Sequence, residues 1–166
     1  MIVLGVDVGL RVCGYVVCEV KNLEVSLIKE GQLKPSPKQL LPQRLNYIFE
    51  GLEKEIKEYS PQAAVVEKLY SHYRHPTTLG LLAQARGVVV LLVQRFGINF
   101  FEYSPTRARK SFLGRGSANS LRVKKMAENI MARKFKSVHT ADAFSLVIAF
   151  SHAQKFERIR ARFKKN

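Results

Sequence analysis

Cysteine is scarce in this chain, and the two that occur lie five positions apart in one apolar stretch, as Cys13 and Cys18. Alternate residues of a strand point to opposite faces, so these two side chains cannot bridge. A fold held by disulfides is excluded, and free buried thiols in a reducing compartment are the interpretation. No continuous apolar run approaches the roughly 18 residues of a membrane span, and no basic leader is visible. We expect a cytoplasmic protein without a membrane partner.

Aspartate is also rare. Of 13 acidic residues only Asp7 and Asp142 are aspartates, and both lie in apolar surroundings. Glu67 closes another apolar run, whereas the glutamates of residues 50–58 alternate with lysines in a stretch that reads as solvated. An unpaired buried charge costs several kcal/mol, on the order of 2–7 kcal/mol or more. The sequence therefore predicts that these three carboxylates share a partner or a task.

The chain has 166 residues, of which 46% are hydrophobic, with ten phenylalanines. This composition predicts one globular domain over residues 1–154, followed by a basic tail over 155–166. The net charge of +15 is uneven, because residues 1–67 carry net −1 and residues 68–166 carry net +16. Such asymmetry favours a polyanionic partner, nucleic acid first and an anionic membrane surface second, and a merely soluble basic surface is the plain alternative.

Hydrophobic periodicity predicts an antiparallel three-strand meander followed by alternating helices and strands, which is a mixed-sheet α/β domain. The predicted strands lie within residues 1–10, 12–20, 25–28, 63–69 and 98–103. The predicted helices span about residues 41–59, 75–93, 105–113, 121–135 and 139–153.

The helical segment around residues 88–93 is apolar around its whole circumference. One face can pack on the sheet, but the remainder needs a second surface. A self-complementary contact between two copies is the commonest solution, which predicts a two-fold homodimer. The alternative is that the C-terminal helix of the same chain covers this second face.

The three carboxylates and one histidine can form a single site. Asp7 lies in the first strand, Glu67 near the end of another, and Asp142 in the first turn of the last helix, with His139 on the same helical face. Hard oxygen ligands without thiols favour Mg²⁺, with Mn²⁺ as a substitute, over Zn²⁺. Each residue alone has an ordinary structural explanation, such as a backbone hydrogen bond or a helix-dipole contact.

A metal cluster beside a cationic surface indicates two-metal phosphodiester hydrolysis. In that chemistry one ion helps to generate the attacking hydroxide and the other stabilises the leaving oxygen, with the ions about 3.5–4 Å apart.

Five segments together resemble the RuvC family of Holliday-junction resolvases, in order and spacing, to about residue 153. They are Gly5-Val6-Asp7-Val8-Gly9, Val66-Glu67-Lys68-Leu69-Tyr70, Gln84-Ala85-Arg86-Gly87, Tyr103-Ser104-Pro105 with Gly114-Arg115-Gly116-Ser117-Ala118, and Ala141-Asp142-Ala143. The resemblance implies a ribonuclease-H-like fold, with a mixed five-stranded sheet flanked by helices, and a homodimer. It also implies Mg²⁺-dependent, symmetrically paired nicking of four-way DNA junctions in recombination and repair, and cooperation with a branch-migration complex.

By position, the resemblance makes Asp7, Glu67 and Asp142 metal-binding catalytic residues and Tyr70 an aromatic that meets DNA near the crossover. Many family members carry an aspartate where this chain has His139, although histidine also occurs there. A neutral imidazole can bind a metal or move a proton, so His139 is predicted to be a metal ligand or a proton-transfer group.

The phosphate-binding charge departs from the family pattern. A frequent family lysine aligns with Ser120, and Arg109 stands where another lysine is common. The expected DNA-binding residues are therefore Tyr70, Arg74, Arg109, Lys110, Arg115, Arg122 and Lys124.

Three other functions compete with junction cleavage. One is a ribonuclease-H-like nuclease that acts on RNA. A second is an ATP-binding actin or sugar-kinase fold, which needs a longer chain and usually a hydroxyl residue where Leu10 stands. The third is an architectural DNA-binding protein, which explains the charge but not Asp7 in a core strand.

Overall fold

The computed structural model describes residues 1–22, 24–69 and 76–163, with side chains up to residue 155. Its strands are β1 (Ile2–Asp7), β2 (Cys13–Lys21), β3 (Glu24–Leu33), β4 (Ala63–Glu67) and β5 (Asn99–Tyr103). Its helices are α1 (Leu41–Tyr59), α2 (Pro76–Arg95), α3 (Pro105–Leu113), α4 (Ser120–Met131) and α5 (Val138–Phe163).

The strands form one mixed five-stranded sheet in the order β3-β2-β1-β4-β5. The first three strands are antiparallel neighbours, whereas β4 pairs parallel to β1 and β5 parallel to β4. The parallel pairs are joined through α1 and α2, as parallel strands require a crossover. The predicted fold class, a mixed five-stranded sheet flanked by helices, is confirmed.

Each face of the sheet carries its own hydrophobic core. On β1, Leu4 and Val6 face the core under α1 and α2, while Val3 faces the core under α3, α4 and α5. Asp7 falls on the α5 side because side chains alternate along a strand. Cys13 and Cys18 are free and lie in opposite cores, as predicted.

Helix α1 has the predicted apolar stripe, with Ile48, Leu52 and Ile56 buried, but one prediction for this segment is wrong. Glu55 is only 6% exposed, not solvated, because the hydroxyl of Tyr15 donates to its Oε1 at 2.6 Å. The partner, Tyr15, belongs to β2 across the core. The residues around Glu55 in the sequence cannot indicate this contact.

Helix α2 is continuous through residues 88–93, as predicted. Helix α2 contains no continuous apolar run of about 18 residues, as predicted, but over an 18-residue window it is long and apolar enough by composition to cross a membrane. Length and composition alone are weak evidence for a membrane, because core helices of soluble proteins meet the same criteria. Only 22% of that window is buried. Helix α5 covers the other face of the sheet, so it does not cover the outer side of α2.

The last two helices differ from the predicted bounds. Helix α4 ends at Met131 because Ala132 adopts a left-handed conformation with φ of 49° and caps it. Helix α5 begins at Val138 and continues to Phe163. The helical backbone therefore runs through most of the segment that the sequence predicts as a tail.

Two glycines allow α5 to lie directly against the sheet. A Cβ on Gly14 would lie 2.6 Å from the carbonyl oxygen of His139, and one on Gly5 would lie 2.6 Å from that of Ala143. Neither approach is possible with a side chain present. The helix is thus held close to β1 and β2 where β1 ends.

Candidate active site

The first two site carboxylates stand at the ends of adjacent parallel strands. The register pairs Val6 with Val66, and Asp7 and Glu67 are the next residues of β1 and β4. Parallel strands present their carboxyl ends at one edge of the sheet, and the alternation of side chains places both carboxylates on the α5 face. Two residues far apart in sequence therefore share one location.

The first turns of α5 supply the other two predicted groups. Ser137 and Thr140 cap this end reciprocally, each backbone N–H donating to the other hydroxyl at 3.2 Å. The Nδ1–H of His139 donates to Asp7 Oδ2 at 2.8 Å, and Asp142 is 8% exposed. The structure thus brings together the four residues that the sequence predicts as one site.

Arg109 belongs to this cluster instead of standing free on the surface. Its Nη2 lies 3.7 Å from Asp142 Oδ1 and donates to Ser120 Oγ at 3.0 Å, while its Nη1 donates to the Ala118 carbonyl at 3.1 Å. Arg109 and Ser120, the two positions at which the predicted phosphate-binding charge departs from the family pattern, are therefore in contact. One guanidinium, held by the loop before α4, provides positive charge beside Asp142.

Electrostatics at the cluster show an excess of negative charge. Burial, with Asp7 and Asp142 nearby, raises the pKa of Glu67 from 4.5 to about 8, although Arg109 and His139 oppose the shift. Burial likewise raises the pKa of Asp142. The hydrogen bond to Asp7 raises the pKa of His139 against the effect of burial. Further positive charge would therefore stabilise the ionised carboxylates.

The donor chemistry fits a hard divalent cation. Within residues 1–22, 24–69 and 76–163, no three His, Cys, Asp or Glu side chains stand arranged so that they could hold a metal ion. Nevertheless, three carboxylates and an imidazole are ligands that suit Mg²⁺ or Mn²⁺, and burial with neighbouring carboxylates raises the pKa of Glu67, which a nearby cation would lower. Asp7, Glu67 and Asp142 would hold it, with His139 as a fourth candidate.

Arg86 lies behind the site and contacts Glu67. The sequence did not predict this contact. Its Nε donates to the carbonyl oxygen of Glu67 at 3.3 Å, and its guanidinium pairs with Glu102. Lys68 Nζ lies 3.8 Å from the same Glu102 carboxylate. A cavity of about 40 Å³ opens between Glu67 and Arg86, and Leu82 lines its wall. Arg86 of the motif Gln84-Ala85-Arg86-Gly87, which contributed only to the resemblance, thus contacts the end of β4.

The predicted DNA-binding residues differ in where the structure places them. Tyr70 and Arg74 lie outside the described residues. Lys110, Arg115 and Arg122 are exposed on α3, on the following loop and on α4. Lys124 is half-buried and lies 3.8 Å from Glu128 one turn along α4, so part of its charge is already neutralised. Arg109 ties the loop to the site through Ala118. DNA binding by these side chains stays a prediction.

The fold and these side chains define a class. Carboxylates at the ends of two central parallel strands, with a third on the helix that covers them, are the arrangement of a ribonuclease-H-like nuclease. The family model of "Crossover junction endodeoxyribonuclease RuvC" matches residues 3–152. The chain belongs to the RuvC family, and this membership implies a nuclease that depends on a divalent metal.

Individual relatives agree with this assignment. A crossover junction endodeoxyribonuclease RuvC from Brachyspira hyodysenteriae is 34% identical over 155 residues, which cover 93% of this chain and 95% of the relative. The Thermus thermophilus RuvC structure superimposes with a TM-score of 0.81 at 24% identity, covering 93% of this chain and 96% of the other. T. thermophilus RuvC in complex with Holliday junction substrate also gives 0.81, at 26% identity, covering 90% and 92%.

Proposed function

We propose that this protein resolves Holliday junctions by symmetrically paired, Mg²⁺-dependent hydrolysis of DNA phosphodiesters in recombination and repair, with Mn²⁺ as a possible substitute. One observation carries the proposal: Asp7, Glu67, His139 and Asp142 meet at one sheet edge in a chain that matches RuvC over residues 3–152. The T. thermophilus relative in complex with Holliday junction substrate supports the choice of DNA substrate.

In the proposed mechanism the side chains have separate tasks. Bound divalent ions would supply positive charge at the scissile phosphate and lower the pKa of water. Asp7, Glu67 and Asp142 would hold these ions. Arg109, fixed by Ala118 and Ser120, neutralises part of the Asp142 charge and leaves the edge attractive to a phosphate.

His139 holds a proton beside Asp7. Because Nδ1 is engaged by Asp7, Nε2 is the ring nitrogen that can transfer a proton or reach a metal. We propose one of these two roles for it.

We propose that the working unit is a homodimer formed through the outer face of α2. Gly80, Gln84, Gly87 and Leu91 recur every three or four residues and are exposed, Leu91 at 58%. A Cβ at either glycine would meet nothing within 4 Å, so a second helix could approach closely there. Two glycines and an exposed leucine with this spacing suit a two-fold helix pair.

The junction itself would be held by the basic half of the chain. We propose phosphate or base contacts for Tyr70, Arg74, Arg109, Lys110, Arg115, Arg122 and Lys124. A branch-migration complex of the same pathway is the proposed protein partner, and the cytoplasm is the proposed location.

The substrate is tested by a cleavage assay with Mg²⁺ on a four-way DNA junction, a linear duplex of the same sequence and an RNA–DNA hybrid. We expect paired nicks in the junction and little cleavage of the other two. Preferential cleavage of the hybrid would identify an RNA-directed nuclease, and binding without any cleavage would indicate an architectural protein.

The dimer makes a separate prediction. We expect wild-type protein mixed with excess Asp7→Asn protein to nick only one strand of a junction, because each subunit of a two-fold dimer would supply one site. The nicks are counted on a junction that is labelled on both cleaved strands. Undiminished paired nicking would mean that one subunit cuts both strands, and sedimentation as a monomer at micromolar concentration would contradict the dimer itself.

A further inference from the structure

Glu30 is a buried carboxylate outside the proposed site. It lies on β3 opposite Val16 of β2, and therefore on the face of the sheet that α5 covers. It is only 3% exposed, less than Asp142. Its sequence context, Ile28-Lys29-Glu30-Gly31, includes a lysine and a glycine and does not indicate burial.

Both carboxylate oxygens of Glu30 accept hydrogen bonds from the loop between α4 and α5. Arg133 Nη2 donates to its Oε1 at 3.3 Å, and the backbone N–H of Lys136 donates to its Oε2 at 3.1 Å. The Nζ of Lys136 also donates to the carbonyl oxygen of Glu30 at 3.2 Å. One residue of the outermost strand thus binds this loop at three points.

The loop leads directly into the part of α5 that carries the site. Lys136 precedes His139 by three residues, and the cap formed by Ser137 and Thr140 lies between them. Phe135 packs against Phe144 of α5, with ring centroids 5.4 Å apart. The position of the first turn of α5 therefore depends on where the loop is held, and Glu30 holds it together with Glu128, whose Oε1 accepts from the Phe135 N–H at 3.1 Å.

We infer that Glu30 is a positioning residue for the active site, which places His139 and Asp142 against Asp7 by anchoring the loop before α5. The expected effect of Glu30 on the rate of cleavage rests on the proposed function. The anchoring itself is a property of the fold and can be measured without cleavage. A displacement of about 1 Å at a reacting group can cost roughly 100-fold in rate.

The chain offers a matched control in Glu55. This residue is also buried, at 6% exposed, but it lies on α1 on the other face of the sheet and accepts from Tyr15. Its Oε2 has no hydrogen-bond partner, so a glutamine at position 55 keeps the Tyr15 contact. At position 30 both oxygens accept from donors, and an amide offers only one acceptor. Glu30→Gln therefore breaks the anchor, whereas Glu55→Gln preserves its contact.

The experiment compares wild type, Glu30→Gln and Glu55→Gln in three measurements. Amide hydrogen exchange of residues 138–143 reports the anchoring, and titration with Mn²⁺ reports the arrangement of the ligands. Single-turnover cleavage at saturating junction reports the rate separately from binding. For Glu30→Gln we expect faster exchange, Mn²⁺ affinity lower by about tenfold, and cleavage slower by about 10- to 100-fold at unchanged junction affinity. Glu55→Gln should match wild type.

Unchanged exchange and Mn²⁺ affinity in Glu30→Gln would overturn the inference, as would equal changes in both variants. If Glu30→Gln does not fold, Arg133→Met removes one of the three contacts and should accelerate exchange in residues 138–143, and no acceleration there would contradict the anchor. A wild-type protein that cleaves no junction would overturn the proposed function alone, since exchange and Mn²⁺ binding would still test Glu30.

Discussion

Asp7→Asn, Glu67→Gln and Asp142→Asn are each expected to reduce junction cleavage by about 1,000-fold or more and to leave junction binding intact. Each change keeps the shape of the side chain but removes the charge that would hold a divalent ion. Binding can even improve, because a carboxylate that repels phosphate is lost. Cleavage is measured under single-turnover conditions, and binding is measured with a labelled junction in the absence of Mg²⁺.

A stability measurement separates loss of chemistry from loss of fold. The pKa of Glu67 is raised from 4.5 to about 8, so the folded, metal-free protein binds more protons than the unfolded chain between these values. Its stability therefore falls as the pH rises through this range. Glu67→Gln lacks this ionisation, so its melting temperature should exceed that of wild type near pH 8 in the absence of metal.

The exposed Glu19, changed to Gln, serves as the control and should behave as wild type in both assays. Near-normal cleavage by any one of the three variants would remove that residue from the site.

His139→Ala should lose most cleavage, whereas His139→Asp should retain much of it. Alanine removes the hydrogen bond of 2.8 Å to Asp7 together with a possible metal ligand. Aspartate, the residue that many members of the family carry at this position, restores an oxygen ligand but cannot act as an imidazole. Rates are compared for all three proteins from about pH 6 to 9.

The pH profiles distinguish the two roles of His139. If it is a metal ligand, His139→Asp should follow the wild-type profile. If it transfers a proton, His139→Asp should still cleave but should lose the inflection that the imidazole contributes, and the hydrogen bond to Asp7 raises the pKa of that imidazole. Equal activity of wild type and His139→Ala over the whole range would show that the histidine is incidental.

Local sequence patterns predicted the helices that show a regular apolar spacing or a proline at their start. The apolar spacing from Leu41 to Ile56 marks α1, and prolines mark the starts of α2 and α3. The end of α4 was missed, because a left-handed Ala132 carries no sequence signal. Helix α5 was predicted too short, because its basic continuation was interpreted as a tail. No proline or glycine follows residue 153, so nothing in that segment stops the helix.

The position of the candidate site was predictable where a carboxylate interrupts an apolar run, as Asp7 and Glu67 do. It was not predictable where burial depends on a partner distant in sequence. Glu30 is bound by residues more than 100 positions away, and Arg109 meets Ser120 only because the loop before α4 folds back. Residue type and neighbours cannot indicate such contacts, which arise only when the layers of the fold assemble.

Gly5 and Gly14 give the protein an unusual mutational vulnerability. Neither residue has a functional group, yet the helix that carries His139 and Asp142 rests on the space they leave open. A survey of inactivating mutations would therefore find hits at two positions with no chemistry of their own. Even alanine, usually the mildest substitution, would place a Cβ within 3 Å of the α5 backbone at either position and change the spacing between helix and sheet.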